Sequence, residues 1–148
     1  MTHIQHSVRV TRTPDDVAAV ALDWSQDALW RASVRRMTVR PAGRAVTGQQ
    51  VVEQLSVLGL PLTTPTRIDL ATSRSASWSG GSNRLQARGR RTVEDEDGAT
   101  CLTTEVDVRL RGGLRALTPV LATVYRRTAG RDLRRLRTFL QAEGTATR

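Results

Sequence analysis

A chain of 148 residues, 39% of them hydrophobic, can enclose one sizeable core and leaves no room for a second domain. No apolar run approaches the ~20 residues needed to cross a bilayer, and the first residues carry neither a basic nor an apolar leader segment, so a cytoplasmic protein is expected. The net charge of +9 would invite nucleic acid, but all 23 cations are arginine, as GC-rich coding would produce, and none of the five aromatic residues is interleaved with them as a stacking platform. Specific nucleic-acid binding is therefore not expected. The single Cys101 excludes an internal disulfide and offers no metal cluster, and its place in an alternating segment makes it a structural thiol. Neither metal nor cofactor is implied.

Ile4, His6, Val8 and Val10 alternate with polar residues, the period of a half-buried strand. Thr13-Pro14-Asp15-Asp16 then supplies a cap, a proline for the first turn and acids that suit the helix dipole, predicting a helix over 14–22. Ser25 reads as a second cap, opening a short helix over 26–31 that places Trp24 and Trp30 at a corner. From Ala32 onward, turn signals at Pro41-Ala42-Gly43, Gly59-Leu60-Pro61, Thr72-Ser73, Gly80-Gly81-Ser82-Asn83 and Asp97-Gly98 separate six further strands. The connections are too short for parallel crossovers, so the strands form an antiparallel meander. After Gly112-Gly113, helical periodicity runs over 114–140, with Leu117, Leu121, Val124, Leu133, Leu136 and Leu140 on one stripe. Pro119 either kinks that helix or marks its first turn after a Thr118 cap. Gly130 signals either a close backbone approach or a solvated position free of constraint. Residues 144–148 are expected to be a disordered tail to a single domain over 1–143.

Strand, two short helices, six strands and a long final helix is an uncommon order. Along it, Val8 to Val17 with the Thr13-Pro14-Asp15-Asp16-Val17 turn, Asp23 followed by Trp30, Gly98 with Thr100 and Leu102, Gly113, Leu117, Pro119, and Leu133 to Leu140 resemble the START-related superfamily of polyketide cyclases and lipid-transfer proteins, the SRPBCC proteins. The resemblance implies an α+β helix-grip fold: a curved antiparallel sheet of about seven strands around a C-terminal helix, enclosing a cavity. It leaves activity open, because that superfamily spans enzymes, carriers and sensors.

If the sheet curls around the helix, the more apolar register of each strand marks its inward face, and polar residues on that face become candidates. Val51, Leu55 and Val57 carry Glu53 inward. Leu85, Ala87, Gly89 and Val93 carry Arg91, unless a bulge at Gly89 turns it out. His6 shares its face with Ile4, Val8 and Val10. In the last strand Leu102, Thr104, Val106, Val108 and Leu110 face in, leaving Glu105 and Asp107 solvated. Glu53, Arg91 and His6 are thus the candidate catalytic or anchoring groups. The pocket lining is expected to combine Trp30, Val51, Glu53, Leu55, Trp78, Leu85, Arg91, Val106 and Val108 with Leu117, Leu121, Val124 and Tyr125 of the helix.

Three functions compete on these residues. A carrier of a small hydrophobic or lipid-like molecule fits the aliphatic inward faces. A cyclase or dehydratase would need inward acid–base groups, and it loses its acid if Glu53 and Arg91 close on each other. An interaction protein would use Arg126, Arg127, Arg131, Arg134, Arg135 and Arg137, a face read as solvated or as contacting an anionic membrane or an acidic partner. Oligomeric state is left open.

Overall fold

The computed structural model describes residues 1–57 and 59–146. Its seven strands are β1 (Thr2–Val10), β2 (Val34–Arg40), β3 (Gln50–Val57), β4 (Leu60–Ala71), β5 (Ser75–Gly81), β6 (Leu85–Glu96) and β7 (Ala99–Leu110). They form one antiparallel sheet in the order β1-β7-β6-β5-β4-β3-β2, so the meander is as expected and β1 closes its end against β7. The β6–β7 turn shows the local chemistry at work: Asp97 and Gly98 adopt φ of 50° and 83°, the left-handed pair that a two-residue hairpin needs. Between β1 and β2 lie α1 (Pro14–Ala21) and a 3₁₀ helix over Trp24–Leu29. Thr13 caps α1 by accepting the Asp16 N–H at 3.2 Å. The second cap is Asp23 rather than Ser25, since the Asp23 carboxylate accepts the Ser25 N–H at 3.0 Å and starts the turn two residues early.

The long helix α2 (Thr118–Ala146) lies against β1 and buries Ala122, Leu133, Leu136 and Leu140. Residues 112–117 form a separate 3₁₀ helix, so the 3.6-residue stripe does not extend back to Leu117, which is half exposed. Pro119 therefore sits in the first turn of α2 and causes no kink inside it. Thr118 ties the junction to the sheet, its hydroxyl accepting the Leu110 N–H and donating to the Arg115 carbonyl. A Cβ at Gly130 would meet the His6 ring at 3.9 Å, ordinary contact, so no tight approach demands this glycine. The expected tail is described only in its backbone to Ala146, and 147–148 lie outside the described residues.

The main core joins β1, α1, the sheet centre and the second half of α2 through Val10, Val17, Leu22, Ile68, Leu102 and Leu136. A smaller cluster of Ile4, Leu85, Val108 and Ala122, with Leu121 and Tyr125 beside it, fills the far end. Between the two lies the candidate site.

Candidate functional site

Alternation on β6 turns Arg91 inward, because Gly89 pairs with Val106 and Arg91 with Thr104 in unbroken register and no bulge intervenes. The guanidinium is 6% exposed and meets a carboxylate that sequence reasoning missed, Asp27 of the 3₁₀ helix, which is wholly buried. The pair is bidentate, Nη1 to Oδ1 at 2.8 Å and Nη2 to Oδ2 at 2.6 Å. Nη1 also donates to the Ala21 carbonyl at 2.9 Å, and the guanidinium carbon lies 4.1 Å from the Trp24 ring centre and 5.1 Å from that of Trp30. Arg31 donates to the same carboxylate at 2.9 Å and reaches on to Glu53 of β3. Four charges thus form one chain, Arg91–Asp27–Arg31–Glu53, with no net charge. Burial alone would weaken Arg31's hold on its proton, but Glu53 and Asp27 outweigh it and raise the Arg31 pKa well above the usual range. Such a network is costly to desolvate and costlier to break, because removing one member strands another in the interior.

The remaining wall is less charged. Trp30, Trp78, Val51, Val106 and Leu133 line a cavity of about 50 Å³, with Tyr125, Thr128 and Asp132 of α2 along one side. Burial raises the pKa of Tyr125 and also that of Asp132, the latter against the opposing pull of the Ala32 N–H, which donates to Oδ1 at 3.1 Å, and of Arg31. The indole N–H of Trp30 is buried and finds no acceptor among the described residues. The Trp78 indole lies against Gly89, where a Cβ would come within 2.7 Å of the indole and 2.5 Å of the Glu105 carbonyl. That glycine is what lets the ring cover the wall. No group of His, Cys, Asp and Glu able to hold a metal ion occurs among the described residues.

A family model described as polyketide cyclase/dehydrase and lipid transport matches residues 1–141. The chain belongs to this family. Solved structures agree on the fold. A Thermus thermophilus protein superimposes with a TM-score of 0.81 at 11% identity, over 96% of this chain and 99% of its own. The Zhui aromatase/cyclase of a Streptomyces species gives 0.78 at 20% identity over 95% and 93%, and a START superfamily protein of Mycobacterium smegmatis 0.76 at 11% over 95% and 97%. No curated protein sequence matches the chain. The START-related membership and the helix-grip architecture expected from the sequence both hold.

Within this member of the polyketide cyclase/dehydrase and lipid-transport family, the structure brings Trp30, Val51, Glu53, Trp78, Arg91, Val106 and Tyr125 together at the cavity. Other expected lining residues lie elsewhere. Leu85, Val108 and Leu121 belong to the far cluster, where they pack with Ile4 and Ala122 and do not line this cavity. Leu55 and Val124 are partly exposed and do not reach the cavity, and Leu117 faces solvent on the 3₁₀ turn. His6 faces inward yet packs beneath Gly130 of α2, away from the cavity, with its Nε2 buried and unpartnered among the described residues. Glu53 and Arg91 do not close on each other. Arg91 closes on Asp27 of the 3₁₀ helix, and Glu53 on Arg31, two residues past the end of that helix. The signal for Asp27 was present as an acid four residues before an arginine, set between two tryptophans. That for Asp132 was a lone acid four residues before Leu136, on the apolar stripe of an arginine-rich helix.

Proposed function

We propose that this family member binds a small hydrophobic molecule between the sheet and α2 and carries or senses it without converting it. The observation that carries this reading is the pairing of the inward charges. Arg91, Asp27, Arg31 and Glu53 spend their charge on one another, which leaves a mixed wall of tryptophans, Val51, Val106 and Leu133 with Thr66, Thr104, Tyr125 and Thr128, whose apolar part contributes to binding by desolvation at about 25 cal/mol per Å² of apolar surface. The cavity of about 50 Å³ holds a few water molecules, whereas ligand sites usually enclose ~300–1,000 Å³. Binding is therefore coupled to displacement of the lining side chains. A cytoplasmic setting and a single domain over 1–143 are part of this proposal.

One observation favours a second reading, an enzyme of the cyclase or dehydratase kind: Asp132 presents at the cavity edge a carboxyl whose neutral form burial favours, beside the Tyr125 hydroxyl. Native mass spectrometry of the purified protein, followed by extraction and identification of what is released, separates the two. A stoichiometric apolar ligand recovered with its mass unchanged after incubation supports the carrier. A ligand that loses water or is otherwise transformed, with the change abolished in Asp132→Asn, supports the enzyme. A protein that is empty and fails to bind a hydrophobic fluorescent probe would overturn both.

A further inference from the structure

The net charge of +9 is not spread over the chain. Residues 1–107 hold thirteen arginines against twelve acids, whereas residues 108–140 hold nine arginines against one acid, Asp132. Coding bias explains why every cation is arginine. It does not explain this asymmetry, because the same bias acts on the first 107 residues and leaves them close to neutral. The single acid of the basic segment is buried against the Ala32 N–H, so every exposed charge between residues 111 and 140 is a cation, and the exposed Glu143 farther along α2 falls about 80° outside the arc of the arginines.

This face is broad rather than a single row. At about 100° per residue, Arg126, Arg127, Arg131, Arg134, Arg135 and Arg137 cover roughly half the helix circumference. All six are exposed, and none forms an ion pair among the described residues. Val120 falls within the same arc of α2, and at and just before the N-terminal end of the helix Leu114, Leu117 and Val120 are 40%, 51% and 53% exposed. They are three residues apart. In a 3₁₀ helix such positions eclipse one another, so Leu114 and Leu117 project together, flanked by exposed Arg111 and Arg115. Among the described residues the other exposed large apolar side chains are Val46, Leu70 and Met1, which lie apart as single residues, and Leu29, which lines a shallow surface hollow with Arg131, Arg134, Arg135 and Phe139 of α2.

We propose that this face docks on an anionic lipid bilayer, with Leu114, Leu117 and Val120 entering the interface and the α2 arginines lying against the headgroups. A second copy of the chain is a poor occupant, because it would bring the same unpaired arginines face to face. An acidic protein segment would satisfy a narrow row of cations, whereas this one is spread across half a cylinder and meets a continuous field of negative charge better. The proposal does not depend on what the cavity holds.

Co-sedimentation with vesicles tests it, using phosphatidylcholine alone and phosphatidylcholine mixed with phosphatidylglycerol. The protein is expected to partition onto the mixed vesicles only, and less as salt rises. Leu114→Ser combined with Leu117→Ser should weaken partition about tenfold, and Arg134→Glu with Arg135→Glu by at least as much, while Leu70→Ser leaves it unchanged. Thermal unfolding of each variant checks that the exposed substitutions leave the fold intact. Absence of partition onto the mixed vesicles would overturn the proposal. So would partition that the leucine pair does not affect and that soluble polyglutamate displaces, which would make this a face for acidic protein.

Discussion

Arginine plays opposite parts on the two sides of this molecule. Arg31 and Arg91 are buried, each bound to a carboxylate and the second stacked between tryptophans, and the space around them is electrically closed. The arginines on the outside of α2 are exposed and unmatched. The residue type is the same and only the neighbours differ. A buried guanidinium needs its counter-charges within hydrogen-bond reach, because water cannot supply them, whereas a surface guanidinium keeps its hydration and remains available to a partner. One set of arginines thus belongs to the architecture and the other to the exterior field.

Breaking the inner set should have the largest effect. Asp27→Ala strands two guanidiniums in the interior and is expected to cost about 3–5 kcal/mol, a large share of the total stability of a small domain, read by urea unfolding. Glu53→Gln keeps a hydrogen-bond acceptor for Arg31 at a site that is partly solvated, and should cost about 1–2 kcal/mol in the same assay. If the two variants lose equal stability, the network is not centred on Asp27.

Asp132 tests the border between the regions, and its effect should have the opposite sign. Its folded pKa lies above the unfolded value because burial disfavours the charged form, so the folded state holds the proton more tightly. The stability this group contributes is then greatest below the unfolded pKa and declines as pH rises through the folded one. Asp132→Asn, still able to accept the Ala32 N–H, should be more stable than the parent at neutral pH and should flatten that part of the pH–stability profile. A profile unchanged by the substitution would show that Asp132 carries no such strain. The smallest stability effect belongs to the outer set, where Arg134→Gln with Arg135→Gln should shift unfolding by no more than about 0.5 kcal/mol while still weakening attachment to anionic vesicles. A large loss of stability there would mean that the outer arginines, too, are structural.

The meander from β2 to β7, the β6–β7 turn and the capped α1 were legible in the chain because their causes are local: short connections between alternating segments, a left-handed Asp-Gly pair, and a Thr-Pro cap followed by acids, whereas the pairing of β1 with β7 is not local. The inward register of β1, β3, β6 and β7 followed from the same alternation, so Glu53 and Arg91 could be named before any contact was known. Leu117 was misplaced because the helical stripe looked continuous where the backbone tightens to a 3₁₀ turn, a difference of period that six residues are too few to reveal.

What local pattern could not decide was pairing. Glu53 and Arg91 sit on strands that are not neighbours in the sheet, and their partners are Asp27 of a six-residue 3₁₀ helix with no periodicity of its own and Arg31 just beyond it. Only the folded chain brings Asp27 between two arginines separated by sixty residues of sequence, turning apparent acid–base candidates into a neutral, closed network. The cavity was likewise beyond reach of the sequence, since its volume is the small remainder left after side chains from seven elements have packed. Periodicity determines which way a side chain faces, and tertiary contact determines what it meets there.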